Sequence, residues 1–347
     1  MLSSSLASLL VTLLVVTFIG TSAFTTSHQV DTRRHHNQFS SLLLSSKISD
    51  NDLVPQSKVL ILGGTGFVGL HVIDALNLKK VPFIATSTSG QDDTIALDLT
   101  SDTATQQVIE LCSSNEISTI VSTVGSIFKD GDYEVNAASG QIAKAVASSK
   151  DVNIQKFIFI GNSQRIRNVC KTVSSLQEYA RGKEESEKSI QQIMDTDDRL
   201  HCCIIRPTFI YGGDEFGWNP PRLPTKFGEI IEALLGLYPV QALSDFLPDI
   251  LGVALEAPVN VKAVAGSIVN CIVGLDDSSS LDTREEIIMA ASRRPYGRSD
   301  IDSESAQIRR EELKLCLSQH AKEYTRTELC HARRAGSAQA CINSAYR

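Results

Sequence analysis

A single segment, KVLILGGTGFVG at positions 58–69, constrains the fold of this chain more than any other part of its sequence. The apolar run KVLIL leads directly into a glycine cluster, and residues 67–76 then carry apolar side chains at helical spacing. This order predicts a strand, a tight turn and a helix. The glycines follow both the GxGxxG and the GxxGxxG spacing, at the point where a dinucleotide pyrophosphate approaches the backbone.

The predicted dinucleotide loop combines two kinds of interaction with phosphate. Its glycines permit a tight turn, a close approach of the backbone to the phosphates and close packing of the helix on the strand. The helix presents unpaired N–H groups and the positive end of its dipole. The predicted binding residues are Gly63, Gly64, Thr65, Gly66, Phe67, Val68 and Gly69. A glycine turn that only packs is the alternative.

Strands and helices alternate along the central part of the chain. Further strands are predicted at 83–86, 95–97, 117–124, 156–160 and 202–206, with helices at 135–148 and 174–194 between the last three. This alternation predicts an α/β fold, a doubly wound parallel sheet within residues 56–292. A proline-rich loop after Arg206 and helices near 227–237 and 260–273 predict a small C-terminal region on the substrate side. Residues 293–347 are predicted to form a charged tail.

The first 55 residues are predicted to be targeting sequence. Residues 1–23 contain an apolar run and end in small residues, which is typical of a signal peptide cleaved before Phe24. Residues 24–55 have the hydroxyl-rich, basic character of a transit peptide. The two segments in series resemble the bipartite pre-sequences of complex algal plastids, so plastid delivery is expected. Secretion, a membrane anchor and mitochondrial import are the alternatives.

Composition excludes other classes of function. The formal net charge is −7 and no basic stretch stands out, so no nucleic acid partner is expected. The eight cysteines show no CxxC spacing, which predicts reduced thiols with neither a metal site nor a disulfide framework.

The end of the second predicted strand bears on the choice between NADP and NAD. Residues 86–90, TSTSG, contain no carboxylate to accept hydrogen bonds from a ribose 2′-hydroxyl, and a carboxylate there would repel a 2′-phosphate. We therefore expect Ser87 and Thr88 to contact the cofactor and NADP to be preferred over NAD, although no arginine stands at this point. Asp98, which follows the third strand, is a candidate for the adenine end, and a solvated carboxylate is the alternative.

Tyr179 and Lys183 form a candidate catalytic pair, because residues four apart share one face of a helix. A nearby ammonium favours the phenolate and brings the tyrosine pKa towards the working range of an acid/base catalyst. The same lysine is a candidate to bind the nicotinamide ribose. Gly182 weakens the helix, and Glu184 and Glu185 leave a charged, solvated face as the alternative.

A third catalytic group is expected after the fifth strand, FIFIGNS. Asn162 and Ser163 both offer hydrogen bonds at its carboxyl end, and Ser163 is the predicted group that holds a substrate carbonyl. An ordinary turn is the alternative.

Residues 58 to about 292 resemble the extended and atypical short-chain dehydrogenase/reductases, through the motifs KVLILGGTGFVG, VNAASG, KFIFIGNS, YARGK and IIRPTFIYGG. Within that group the chain looks most like the branch containing the Rossmann-fold accessory subunit of respiratory complex I, a related protein of coenzyme Q synthesis and plastoglobule-type chloroplast proteins. The resemblance implies NAD or NADP at the glycine loop, Tyr179 and Lys183 as the active-site pair, and Pro207 within a segment that flanks nicotinamide and substrate.

The sequence departs from this resemblance at two places. Thr88 stands where plastid relatives tend to carry arginine, and Gly161 and Asn162 replace a serine pair. The first departure concerns the cofactor preference, and the second concerns how a substrate carbonyl is polarised.

Together these features predict an NAD(P)H-dependent oxidoreductase. A hydride passes between the nicotinamide and a small-molecule carbonyl, quinone or alcohol, while Tyr179 relays the proton, Lys183 tunes it and Ser163 orients the substrate. The resemblance implies a link to quinone or isoprenoid-lipid metabolism and leaves peripheral membrane association open. The alternatives are a non-catalytic NAD(P)-binding subunit or assembly factor and a nucleotide-sugar epimerase. The sequence predicts neither the substrate's identity nor the oligomeric state.

Overall fold

The computed structural model describes residues 58–214, 217–218 and 221–294. The predictions for the two targeting segments and for the charged tail after residue 294 lie outside the described residues. Within the described part, no helix is both long and apolar enough to cross a membrane.

The core of the fold is one parallel sheet. The described strands are β1 (Lys58–Leu62), β2 (Phe83–Ser87), β3 (Ile95–Ala96), β4 (Ile117–Ser122), β5 (Lys156–Ile160), β6 (His201–Ile205), β7 (Ile210–Tyr211), β8 (Gly217–Trp218), β9 (Pro221–Arg222), β10 (Val259–Asn260) and β11 (Ser280–Leu281). Seven of them form a sheet in the order β3-β2-β1-β4-β5-β6-β11, with all neighbours parallel. The order reverses between β1 and β4, so the predicted doubly wound parallel sheet is confirmed.

Helices cover both faces of this sheet. They are α1 (Phe67–Lys79), α2 (Ala104–Asn115), α3 (Asp132–Ser148), α4 (Gln164–Thr172), α5 (Gln177–Thr196), α6 (Thr225–Leu235), α7 (Tyr238–Phe246), α8 (Asp249–Gly252), α9 (Val261–Ile272) and α10 (Arg284–Ser292). One apolar cluster joins the sheet to α1, α9 and α10, and a second joins it to α2, α3 and α5. The central strands are continuous apolar runs because both of their faces are buried.

The observed elements differ from the predicted ones in a few places. Strand β4 ends at Ser122, earlier than predicted, and the hydroxyl of the next residue, Thr123, lies 3.0 and 3.1 Å from the carbonyl oxygens of Leu62 and Gly63. The helix predicted at 174–194 is a short 3-10 turn, Ser174–Leu176, followed by α5. Helices α2, α4, α7, α8 and α10 and the short strands β7 to β11 were not predicted from the sequence.

The position of α5 depends on very close packing against α3. A Cβ on Gly140 of α3 would lie 2.6 Å from the Cα of Ser186, and a Cβ on Gly182 of α5 would lie 2.5 Å from the carbonyl oxygen of Tyr133. The Ser186 hydroxyl bridges the two backbones, because it donates to the Asn136 carbonyl at 2.7 Å and accepts from the Gly140 amide at 2.9 Å. Gly182 therefore allows α5 to pack closely against α3, and this packing outweighs the low helix propensity of glycine.

Gly140→Ala should destabilise the protein, because the added methyl group overlaps the backbone of α5. Overpacking of this kind costs about 1–3 kcal/mol of unfolding free energy. The matched control is Gln141→Ala, an exposed position on the same helix, which should change that free energy by less than about 0.5 kcal/mol. Urea unfolding of both variants measures the difference, and equal stabilities would contradict the close packing.

Candidate functional site

The glycine loop lies between β1 and α1, and its backbone is packed tightly against neighbouring chain segments. Gly63 has a φ of +83°, a left-handed conformation that favours glycine. A Cβ on Gly64 would lie 2.8 Å from the Cβ of Ala85, and a Cβ on Gly69 would overlap the Gly63 carbonyl oxygen. Gly63, Gly64 and Gly69 are therefore required by the fold itself, whether or not a ligand binds.

Gly66 differs from the other loop glycines because it is exposed. It precedes the first residue of α1, and a Cβ there would meet only the Gly63 carbonyl oxygen, at 3.1 Å. No side-chain cap is present on this helix and no acidic residue lies in its first turn, so its positive dipole end is not neutralised by a carboxylate. Thr65, Phe67 and Val68 are half-buried around it. This open cradle of backbone donors fits a dinucleotide pyrophosphate.

At the end of β2, only one of the two predicted cofactor contacts has an exposed side chain. The Ser87 hydroxyl is buried in the turn, where it lies 2.6 Å from the Thr94 hydroxyl and accepts a hydrogen bond from the Gly90 amide. Thr88 is exposed. Its hydroxyl is therefore the more accessible one to a ribose substituent.

Asp98 follows β3 and is exposed. One of its carboxylate oxygens accepts hydrogen bonds from the amide and the hydroxyl of Thr100, at 2.9 and 2.7 Å. The hydrogen bonds from Thr100 hold the pKa of Asp98 below its usual value. The carboxylate is thus ionised and fixed in a turn at the edge of the sheet.

Lys183 on α5 reaches the carboxyl ends of two central strands. Its ammonium donates to the carbonyl oxygens of Val124, after β4, and Ile160, the last residue of β5, at 2.8 and 2.9 Å. Burial lowers the pKa of Lys183 to about 8, although the negative charge of Glu187 opposes this effect. An ammonium has three donors, so these two bonds leave one for another partner.

Thr123 connects this lysine to the glycine loop and was not predicted from the sequence. Its hydroxyl contacts the carbonyl oxygens of Leu62 and Gly63 at 3.0 and 3.1 Å, and the next residue, Val124, is the one that Lys183 contacts. A hydroxyl residue directly after an apolar strand was the available signal.

Tyr179 lies one turn before Lys183 on α5, and its hydroxyl donates to the side-chain oxygen of Asn162 at 2.8 Å. Burial raises the pKa of Tyr179 above its usual value, opposite to the direction that an adjacent ammonium would give. Asn162 is 9% exposed and follows β5. The tyrosine and this asparagine therefore meet at the same strand end that Lys183 contacts.

Ser163 has a different set of partners from Asn162. It precedes α4, where its hydroxyl accepts a hydrogen bond from the Ile166 amide at 3.3 Å and donates to the Glu256 carboxylate at 3.4 Å. Its own amide donates to the carbonyl oxygen of Pro207 at 3.0 Å, so Pro207 lies beside the end of β5. Ser163 thus begins a helix, while Asn162 contacts the tyrosine.

Gly66→Val should abolish binding of NADPH and leave the protein folded, because the added side chain projects into the open cradle. Gly69→Val is the matched comparison. Its side chain overlaps the Gly63 carbonyl oxygen and should prevent stable folding. Calorimetric titration with NADPH and thermal unfolding measure the two effects. Unaltered NADPH affinity in Gly66→Val would contradict the assignment of the loop.

Three known proteins illustrate what this chain is similar to in sequence and in structure. The chain is 25% identical over 253 residues to an uncharacterized chloroplastic protein of Arabidopsis thaliana, At1g32220, covering 69% of this chain and 79% of the relative. The UDP-Glc/GlcNAc 4-epimerase of Campylobacter jejuni is similar in structure, with 16% identity, a TM-score of 0.44 and coverage of 67% and 82% of the two chains. The yeast methylglyoxal/isovaleraldehyde reductase Gre2, complexed with NADPH, gives 14% identity, a TM-score of 0.42 and coverage of 62% and 73%.

The family model described as the NAD dependent epimerase/dehydratase family matches residues 59–236, just over half of the chain. The matched segment runs from β1 through the glycine loop, Asn162, Tyr179 and Lys183 to the end of α6. The cofactor of the chain is accordingly a nicotinamide dinucleotide. This chain belongs to the NAD-dependent epimerase/dehydratase family.

Proposed function

We propose that this chain is an NAD(P)H-dependent oxidoreductase that reduces a carbonyl or quinone group, with Tyr179 as the proton relay. One observation carries the proposal, a continuous set of contacts from the glycine loop to the candidate pair. Thr123 contacts the loop, the adjacent Val124 contacts Lys183, and Tyr179 lies one turn before Lys183. Groups that would bind phosphate and groups that would move a proton thus meet at the carboxyl ends of neighbouring strands, where ligands bind in open α/β sheets.

The chain's own residues would act mainly on the substrate oxygen. The glycine loop would hold a reduced nicotinamide dinucleotide, whose chemistry when bound would be the supply of a hydride. The Tyr179 hydroxyl would donate its proton to the oxygen, and its raised pKa keeps that proton in place until it is needed. The Lys183 ammonium, with its pKa near 8, would stabilise the phenolate that remains and orient the nicotinamide ribose through its third donor.

An apolar substrate, such as a quinone or isoprenoid lipid, is the finer part of this proposal. Phe128 and Phe209 lie in the loops after β4 and β6, on either side of β5, and each exposes about half of its side chain. Phe128 also has a φ of +61°, which is unfavourable for a bulky residue and is found mainly at functional sites. Exposed Leu243 and Phe246 on α7 add apolar surface that would suit peripheral membrane association.

Two other functions are supported by particular observations. A non-catalytic dinucleotide-binding subunit fits the use of Lys183 to hold backbone carbonyls, which is a structural role. A nucleotide-sugar epimerase fits the family, whose description includes epimerases. An assay panel of quinones, aldehydes and a UDP-sugar separates the three functions, because the subunit turns over none of them.

NADP is the proposed cofactor, and Thr88→Asp tests this preference. A carboxylate at this exposed position would repel a 2′-phosphate, so NADPH affinity should fall by roughly tenfold or more while NADH affinity changes little. Thr88→Ala is the control, since it removes the hydroxyl without adding charge. Equal loss of both cofactors in Thr88→Asp would contradict contact with the 2′-phosphate.

Tyr179→Phe should lower turnover by about a hundredfold or more, because it removes the hydroxyl of the proton relay and retains the ring. NADPH binding should be unchanged. Tyr133→Phe, which removes a hydroxyl from a half-buried tyrosine on α3, is the control and should retain turnover. Steady-state rates with NADPH and menadione measure both.

The pair has a pH dependence that strengthens this test. Because burial lowers the Lys183 pKa to about 8, its ammonium is present below that pH and is lost above it. The reduction rate should therefore fall above about pH 8. Lys183→Met should remove this fall in the pH profile and should also weaken cofactor affinity. Full activity of Tyr179→Phe would contradict its role as the proton relay, whereas no turnover by the wild type would favour the non-catalytic subunit.

Plastid delivery through the sequence before residue 56 is also part of the proposal, supported by the chloroplastic description of the Arabidopsis relative. A fluorescent protein fused after residues 1–56 should enter the plastid of an alga with complex plastids, and Phe24→Ala should block the last import step. Secretion of the intact fusion would show that no second signal operates.

A further inference from the structure

Asn162 is the residue that contacts the Tyr179 hydroxyl. The hydroxyl donates to its Oδ1 at 2.8 Å, and the asparagine is 9% exposed. A hydrogen bond shielded from water in this way fixes the direction of the groups that form it. The orientation of the proposed proton relay thus depends on the segment between β5 and α4.

The other end of the same side chain has no partner. The Asn162 Nδ2 atom is buried, and no acceptor among the described residues lies within hydrogen-bond distance of it. This nitrogen carries two N–H donors, and buried side-chain donors are nearly always paired because an unpaired one is unfavourable. An unpaired donor beside the candidate proton relay indicates a group that is kept for a ligand.

Ser163, the neighbouring candidate, is committed elsewhere. Its hydroxyl has a single proton, which is directed to the Glu256 carboxylate, and its oxygen accepts the Ile166 amide at the start of α4. The serine would have to give up Glu256 before it could donate to a substrate. Asn162 needs no such change, because its donors are unused.

We propose that Asn162 is the third catalytic residue of this site, with Oδ1 orienting Tyr179 and Nδ2 donating to the substrate oxygen. This rests on the proposed carbonyl reduction. In that step the carbonyl carbon gains a hydride with its electron pair from the reduced nicotinamide, and the C=O π bond breaks. The Tyr179 O–H group then turns from Asn162 Oδ1 to this oxygen and transfers its proton, which leaves the phenolate. The Asn162 N–H group stabilises the negative charge that develops on this oxygen.

The test compares three variants of the full chain by their kcat for menadione with NADPH. Asn162→Leu keeps the side-chain size but removes both polar atoms, and kcat should fall by about a hundredfold or more. Asn162→Ser restores a hydroxyl donor and should recover at least about a tenth of the wild-type kcat. Ser163→Ala should stay within about threefold of wild-type kcat and should lower the melting temperature, because it removes a helix cap. The reverse pattern, with Ser163→Ala inactive and Asn162→Leu active, would overturn the proposal.

A second measurement needs no turnover. Tyr179→Phe and Asn162→Leu each leave one polar group buried without its partner, so each should lower the melting temperature of the NADP⁺-loaded protein. The double variant should lie close to the wild type, because both partners have become apolar. Additive shifts would overturn the assigned contact. Asn115→Leu, the same change on α2, controls for the substitution itself and should be additive with Tyr179→Phe.

The two measurements separate this inference from the proposed function. If the wild type turns over no quinone, aldehyde or UDP-sugar, the proposed function is wrong and the unfolding cycle alone decides the contact between Tyr179 and Asn162. Binding of menadione to the NADP⁺-loaded protein then decides the role of Nδ2. Asn162→Leu should weaken it by about tenfold, the effect of one hydrogen bond. Equal affinity in the variant, or no binding by the wild type, would overturn the substrate contact.

Discussion

The buried ammonium of Lys183 is the interaction on which the site depends. A charged group with 7% exposure is unfavourable unless its donors are satisfied, and here two backbone carbonyl oxygens and the face of the Phe159 ring, 4.9 Å away, surround it. One carbonyl follows β4 and the other ends β5, so a single side chain fixes α5 against two strands. Because Thr123 next to the first carbonyl contacts the glycine loop, the lysine also fixes the distance from that loop to Tyr179.

Glu187 gives this arrangement its electrostatic support. It lies one turn after Lys183 on α5 and pairs with Arg206 at 2.7 Å and Arg167 at 2.9 Å, while Arg206 also pairs with Asp282 after β11. Its negative charge opposes the loss of the Lys183 proton. Loss of one member of this partly buried cluster would leave a charge without its partner, which is unfavourable. The cluster therefore links the position of α5 to β6, α4 and the edge of the sheet.

The sequence predicted what depends on local order and missed what depends on distant partners. The order of strand, turn and helix around the glycine loop was predicted correctly, because these elements are adjacent in the chain. Gly182 was interpreted as a weakness in the helix, yet its lack of a Cβ is what allows α3 to approach. The choice between Asn162 and Ser163 could not be made from FIFIGNS, because the partner of Ser163 is Glu256, 93 positions later. The contact of Gly182 with α3 and the contact of Ser163 with Glu256 form only when the whole sheet is assembled.

The pKa values of the pair point to a direction for the chemistry. From the sequence, the ammonium was expected to lower the tyrosine pKa, but Tyr179 is half-buried and Lys183 is buried, and removal from water disfavours each charged form. The Tyr179 pKa therefore rises and the Lys183 pKa falls to about 8. A neutral phenol can act as a proton donor, and Lys183, one helical turn away, is still charged at neutral pH. These protonation states fit the proposed transfer of a proton to a carbonyl oxygen, whereas oxidation of an alcohol would use the phenolate.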